Sequence, residues 1–166
     1  MINKYDTQIK EAAATYLAGA DWRLFKAQLC AESNLNPNAK SPAGAMGIAQ
    51  FMPATWEEVK KEMNMPDHIT PYDSIYAIPA AAYYMQKLCN SWSSHREEAD
   101  RYCLALASYN AGFGNLLKAQ KLAGGAVEYS PVIEALPAIT ERHSIETRDY
   151  VKRIFRIFGE YLMEGR

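Results

Sequence analysis

Long apolar runs are missing from this 166-residue sequence, and its first residues do not follow the pattern of a secretory leader. A membrane-spanning helix needs about 18 or more consecutive apolar residues, and no stretch of the chain supplies them. The N-terminal segment contains Asp6 and Glu11 where a signal peptide requires an unbroken apolar core. We therefore expect a chain that is made in the cytoplasm without a signal peptide and does not insert into membranes.

Net charge is also small, with 18 Lys and Arg against 19 Asp and Glu and a formal charge of −1. Domains that bind nucleic acids usually carry a clear basic excess, which this chain lacks. The charge balance therefore predicts that nucleic acid is not a partner.

Metal-ligand spacings are absent. The three cysteines include no C-x-x-C pair and allow at most one disulfide, so reduced, buried thiols are favoured at Cys30, Cys89 and Cys103. The histidines, His68, His95 and His143, lie far apart in sequence and lack i, i+4 partners. No Gly-rich phosphate loop or Ser-His-Asp arrangement stands out either. We expect neither a metal nor a cofactor.

Alternating β-branched runs are scarce, whereas apolar residues recur at helical spacing. The pattern predicts an all-α fold with helices over Ile2–Leu17, Asp21–Glu32, Ala54–Met63, Ser74–Trp92, Glu97–Tyr109, Asn115–Ala123 and Ile145–Met163. Asp21 and Asp73 are predicted N-caps, Pro53 suits a first helical turn, and Gly112 with Gly114 predicts a break. Irregular stretches are expected at Asn36–Gly47, Met65–Tyr72 and Gly124–Thr140. The length predicts one domain over residues 1–166.

Glu32 is the first candidate for chemistry, because it ends a helix whose inner face carries Phe25 and Leu29. Partial burial and the helix C-terminus both disfavour a carboxylate, so we expect a raised pKa, as a general acid near neutral pH requires. A glutamate at a helix end is more often an exposed surface residue, so the case for Glu32 depends on neighbouring motifs.

Four motifs occur in a fixed order: Glu32-Ser33 before a Gly-rich loop, Gly47-Ile48-Ala49-Gln50-Phe51-Met52-Pro53, Ala107-Ser108-Tyr109-Asn110-Ala111-Gly112, and Glu146-Thr147-x-x-Tyr150-Val151. Their order and spacing resemble the soluble lytic transglycosylase (SLT) domain, whose fold is shared with goose-type lysozymes. The resemblance covers about residues 21–155. It implies a lysozyme-like helical domain with a substrate cleft.

The resemblance also implies a role for each matching residue. Glu32 matches the single catalytic acid/base, completed by Ser33, and Ser41 matches a serine that hydrogen-bonds near the carboxyl and the sugar. Gln50 is expected to bind an N-acetyl sugar beside Met52, and Tyr109 and Asn110 to line the cleft. Glu146 is expected to contact substrate, and Tyr150 to approach the catalytic glutamate. Phe51 stands where the family often has an aliphatic residue or methionine, and is expected to add apolar cleft surface beside Met52 and Tyr109.

The resemblance implies cleavage of the β-1,4 bond between N-acetylmuramic acid and N-acetylglucosamine in peptidoglycan, with 1,6-anhydro ends as products. Most glycosidases use two carboxylates, yet no Asp or Glu occurs from Ser33 to Trp56. This absence favours the transglycosylase over a hydrolytic muramidase, in which Glu146 would be the candidate second carboxylate. A non-catalytic peptidoglycan-binding module is the third reading.

A wall enzyme without a leader needs another route to the periplasmic cell wall. Release through a phage-encoded pore, as for an endolysin, or delivery with a virion would provide one. We expect a monomer whose partners are peptidoglycan glycan strands.

Overall fold

The computed structural model describes residues 3–165 of the chain. These residues form nine α-helices: α1 (Asp6–Tyr16), α2 (Trp22–Ser33), α3 (Pro53–Glu62), α4 (Ser74–Ser91), α5 (Glu98–Ala111), α6 (Phe113–Leu122), α7 (Tyr129–Ala135), α8 (Pro137–Thr140) and α9 (His143–Met163). Within the described range, extended pairing is limited to isolated bridges of Met46 with Lys40 and with Phe51. The predicted all-α class is confirmed. The predicted start of the first helix at Ile2 lies outside the described residues.

The chain divides into two compact units. The first runs up to Tyr84 and also includes the segment from Ile154 onwards, and the second is Met85–Arg153. Helices α4 and α9 contribute residues to both units. The prediction that residues 1–166 form one catalytic domain stays a prediction.

The first unit packs α1 against α2. Asp21 caps α2 as predicted, because its carboxylate accepts a hydrogen bond from the Arg23 backbone N–H at 2.9 Å. Phe25 and Leu29 on the inner face of α2 are buried. Lys26 is also buried and forms an ion pair with Asp6 of α1 at 2.7 Å. This unit therefore holds α2, and with it Glu32, through apolar packing and a buried charge pair.

The second unit groups α5, α6, α7 and α8. Trp92 is buried, stacks edge-on against Phe113 at a centroid distance of 5.3 Å, and donates from Nε1 to Ser108 Oγ at 3.0 Å. Arg96 donates to the Val127 carbonyl oxygen at 3.0 Å, which ties the loop before α5 to the loop before α7.

Two expectations were wrong. The segment Gly124–Thr140 contains helices α7 and α8. Pro131 and Pro137 lie in the first turns of these helices, where a backbone N–H would have no intrahelical acceptor, so neither proline prevents its helix from forming. The break between α5 and α6 lies at Gly112 alone, whose φ is 90°, while Gly114 lies inside α6.

Asp73 directs its carboxylate to the N–H and hydroxyl of Thr70, at 2.8 and 3.0 Å, in the turn before α4. Cys30, Cys89 and Cys103 are free, half-buried thiols. None of the helices described is both long and apolar enough to cross a membrane.

Candidate active site

Glu32 lies in the last turn of α2, which ends at Ser33. The two residues that follow, Asn34 and Leu35, both adopt left-handed backbone conformations, with φ of 55° and 58°. The chain therefore turns sharply away from the helix axis just after Glu32. Glu32 itself is half-buried. The structure thus places Glu32 at a helix C-terminus, as the sequence predicts.

The loop from Asn34 to Met52 is fastened to the end of α2 by Ser33. The Ser33 hydroxyl donates to the Ile48 carbonyl oxygen at 2.7 Å and accepts from the Asn36 N–H at 3.2 Å. Ile48 is itself fully buried. The serine of the Glu-Ser pair thus anchors the loop that carries Gln50.

Ser41 closes a tight turn within this loop. Its Oγ accepts from the Ala45 N–H at 3.0 Å, and its own N–H donates to the Ala45 carbonyl oxygen at 2.9 Å. Met46 and Phe51 then exchange two backbone hydrogen bonds, of 2.9 and 3.0 Å. Because these bonds satisfy backbone groups locally, an irregular segment acquires a fixed shape.

Gly47 is required by a backbone approach. A Cβ at this position would lie 1.9 Å from the Pro71 carbonyl oxygen, in the segment between α3 and α4. The φ of Gly47 is also positive, at 78°. Two irregular segments therefore meet here with no side chain between them.

Gln50 has a φ of 51°, unusual for a residue with a side chain. Its Nε2 donates to the Gly47 carbonyl oxygen at 2.9 Å and to the Ala39 carbonyl oxygen at 3.3 Å. Both amide hydrogens thus have acceptors inside the loop, which leaves Oε1 as the group for a ligand donor.

Met52 and Phe51 have opposite environments. Met52, the N-cap residue of α3, is 44% exposed. Phe51 is 2% exposed and packs edge-on against Trp56 at a centroid distance of 5.2 Å. The expectation that Phe51 adds apolar cleft surface is therefore wrong, because its side chain is buried in the core of the first unit.

In the second unit, Tyr109 and Asn110 lie in the last turn of α5, and both are half-buried. Asn110 Oδ1 accepts a hydrogen bond of 2.7 Å from Thr147 Oγ1 on α9. Glu146, in the first turn of α9, is exposed, whereas Tyr150 one turn later is 8% exposed. The side chain of Tyr150 is therefore largely withdrawn from solvent.

A cavity of about 470 Å³ opens beside Asn110. Its lining is mostly polar and comes from α5, α6, α8 and α9 and from the turn between α8 and α9: Asn110, Ala111, Asn115, Ile139, Thr140, Glu141, His143 and Glu146. The structure thus brings Asn110 and Glu146 to one concavity, while Tyr109 and Tyr150 are not part of its lining.

Sequence reasoning missed some members of this cavity. Asn115 donates from Nδ2 to the Ala111 carbonyl oxygen at 2.8 Å, and His143, whose side chain is exposed, begins α9. Thr147 does not line the cavity but supports Asn110, and its position in the fourth motif carried no predicted role. The only signal in the sequence is a polar residue at a helical position that the structure shows to be buried. No cluster of three potential metal ligands occurs among residues 3–165.

Comparison with known proteins gives a consistent result. The family model of the Transglycosylase SLT domain matches residues 7–130. Membrane-bound lytic murein transglycosylase F of Shewanella pealeana is 34% identical over 125 residues, 74% of this chain and 25% of that protein. The protein of the same name from Saccharophagus degradans is 34% identical over 143 residues, 84% of this chain and 27% of its own.

A solved structure agrees with these relatives. The 70 kDa soluble lytic transglycosylase of Escherichia coli superposes with a TM-score of 0.74 at 26% identity, over 96% of this chain and 24% of that one. This chain spans about a quarter of the length of the relatives it matches. The expected lysozyme-like helical fold is confirmed. By sequence and by fold, the chain belongs to the Transglycosylase SLT domain family.

Proposed function

We propose that this chain is a peptidoglycan lytic transglycosylase. It cleaves the β-1,4 bond between N-acetylmuramic acid and N-acetylglucosamine and leaves 1,6-anhydromuramic acid ends. The observation that carries the proposal is the setting of Glu32: a half-buried carboxyl in the last turn of α2, beside a loop that the Ser33–Ile48 hydrogen bond fixes. A carboxyl in such a setting is suited to proton transfer.

Glu32 acts first as an acid and then as a base. It gives its proton to the glycosidic oxygen as the bond to the muramic acid C1 breaks, while the N-acetyl oxygen of the same sugar attacks C1. The resulting carboxylate takes the proton of the 6-hydroxyl, whose oxygen bonds to C1 and displaces the acetyl oxygen. Glu32 ends protonated, and no water is consumed.

A single carboxylate suffices for this cycle because the substrate supplies its own nucleophile. No Asp or Glu occurs between Ser33 and Trp56. The next acid, Glu57, is 66% exposed and pairs with Lys60 at 3.0 Å on the surface of α3. This absence favours the transglycosylase over the two-carboxylate hydrolytic reaction.

The remaining residues would bind glycan. Gln50 Oε1 is suited to accept the N–H of an N-acetyl group, since Nε2 is held by the loop. The exposed Met52 gives a sugar ring an apolar surface. Ser41 shapes the same loop. We propose that Tyr109, Asn110, Glu146 and Tyr150 contact the polymer from the second unit.

The test is digestion of purified peptidoglycan followed by mass analysis of the released muropeptides. The expected products are lighter by one water than reducing-end muropeptides. Reducing ends instead would show hydrolysis, with Glu146 as the first candidate for a second carboxylate. Binding without release would show a binding module. Either of these results would contradict the proposed function.

A further inference from the structure

Gln28 is a polar residue in the middle of the buried face of α2. It is 0% exposed, and its neighbours on this face are apolar: Leu24, Phe25, Ala27 and Ala31, each no more than 9% exposed. Neither Nε2 nor Oε1 of Gln28 has a hydrogen-bond partner. A buried amide in this state costs free energy that an apolar residue of the same shape would not. Packing in α2 therefore does not account for a glutamine here.

Gln28 precedes Glu32 by four residues on the same helix. Residues at i and i+4 lie on one helix face with Cβ atoms about 5–6 Å apart, and glutamine before an acidic residue is a favourable order for a hydrogen bond. Helical side chains also lean towards the N-terminus, so Glu32 covers the turn that carries Gln28. A change of rotamer would bring the Gln28 amide to the Glu32 carboxyl.

We propose that Gln28 is a positioning residue for Glu32: its amide N–H donates to the Glu32 carboxylate during the reaction. This inference rests on the proposed function. When Glu32 has given its proton to the leaving oxygen, its carboxylate accepts the hydrogen bond from Gln28 Nε2. The amide keeps both protons throughout, and the carboxylate then takes the proton of the 6-hydroxyl.

The bond would serve two purposes. It stabilises a negative charge that develops next to an apolar helix face, where charge is costly. It also fixes the direction of the carboxylate for the second proton transfer. Because the amide has no other partner, no existing hydrogen bond is broken when this one forms.

The test replaces the amide with an apolar group of similar length, Gln28→Met, with Gln28→Leu as a second variant. On soluble glycan strands we expect kcat to fall about 10- to 100-fold, the size of one charge-assisted hydrogen bond. KM should stay within about twofold, because ground-state binding does not involve the bond. The thermal unfolding midpoint should be unchanged or higher, since two unpaired polar atoms leave the core.

Tyr102→Phe is the matched control. The Tyr102 hydroxyl is likewise buried without a hydrogen-bond partner, but it lies on α5 in the second unit. This variant should also keep or raise the unfolding midpoint, while its kcat equals that of wild type. Binding provides a second control: Glu32→Gln with and without Gln28→Met should sediment equally with insoluble peptidoglycan.

The inference therefore requires that the Gln28 variants lose kcat without a fall in the unfolding midpoint. If Gln28→Met and Gln28→Leu keep the wild-type kcat, or lose activity only together with the unfolding midpoint, Gln28 is a core residue and the inference is wrong. Failure of the proposed function looks different, because the wild-type chain itself would then release no anhydro products.

Discussion

Thr147 Oγ1 lies 2.7 Å from Asn110 Oδ1 and joins α9 to the last turn of α5. The Thr147 side chain is almost completely buried, so this hydroxyl has little access to water. With Oδ1 accepting from Thr147, the amide nitrogen of Asn110 is the group that remains for an acceptor on a ligand. One buried hydroxyl thus determines which hydrogen-bonding group Asn110 presents beside its cavity.

Thr147→Val should therefore weaken substrate binding without a change at the acid/base. The loss of one neutral hydrogen bond, about 1 kcal/mol, corresponds to a rise of about fivefold in KM, with kcat nearly unchanged. Thr147→Ser keeps the hydroxyl and should behave as wild type. Steady-state kinetics on soluble glycan strands provide the measurement. Equal KM values for the valine and serine variants would contradict the role of the hydroxyl.

Glu32→Gln should reduce the release of anhydro-muropeptides about 10²- to 10⁴-fold, because the amide neither gives nor takes the required proton. Glu57→Gln is its control, since the Glu57 side chain is 66% exposed and pairs with Lys60 on its own helix. Release is quantified by chromatography of digests at equal protein concentration. Substantial turnover by Glu32→Gln would remove Glu32 from the mechanism.

Gly47→Ala should be strongly destabilising. The new Cβ would overlap the Pro71 carbonyl oxygen. Because both groups belong to the backbone, the overlap is relieved only if the backbone moves. We expect a loss of about 2 kcal/mol or more in the free energy of unfolding. Gly44→Ala is matched in backbone conformation, with a φ of 96°, but a Cβ there meets nothing within 4 Å. It should cost only the conformational strain, about 1 kcal/mol. Denaturant unfolding of both variants checks the difference.

The buried ion pair of Lys26 and Asp6 should matter far more than a surface pair. Side-chain exposures are 6% and 9%, so Lys26→Met leaves a buried, uncompensated carboxylate. Breaking such a pair costs about 3–5 kcal/mol. Arg156→Ala removes the exposed pair with Glu160, whose side chains are 65% and 54% exposed, and should cost less than about 1 kcal/mol. Similar losses in the free energy of unfolding of the two variants would contradict the idea that burial makes the Lys26–Asp6 pair more important.

Asp21 should make the free energy of unfolding depend on pH in the acid range. Its hydrogen bond with the Arg23 side chain lowers the pKa of the Asp21 carboxyl below its usual value. Because the folded-state pKa is depressed, the stabilisation is present above the unfolded pKa, near 3.8, and is lost as pH falls through the folded value. Asp21→Asn keeps a capping side chain but should abolish this dependence. Unfolding measured from pH 5 downwards in both proteins tests it.

Local signals in the sequence predicted much of the fold. Asp21 and Pro53 mark the starts of α2 and α3 through caps and backbone preferences that need no tertiary context. The prolines of α7 and α8 do not mark these helices in the same way, since a proline looks alike in a loop and in a first helical turn. Phe51 is buried from within an irregular loop, where no hydrophobic periodicity reveals which side chains point inward.

The candidate site shows a similar division. Motifs indicated Glu32, Gln50 and Asn110, but not the partners that hold them. Thr147 and Gln28 lie at buried helical positions where an apolar residue would pack equally well. The structure distinguishes the two: the Thr147 hydroxyl has a hydrogen-bond partner, whereas the Gln28 amide has none.

The close approach of Gly47 to Pro71 also limits which changes in loop length this chain can accept. Surface loops ordinarily accept insertions and deletions independently of one another. Here the loop that carries Gln50 and the segment before α4 touch backbone to backbone, so a length change in either displaces the other. Changes to either segment, by evolution or by library design, should therefore vary residues 39–50 and 65–72 together.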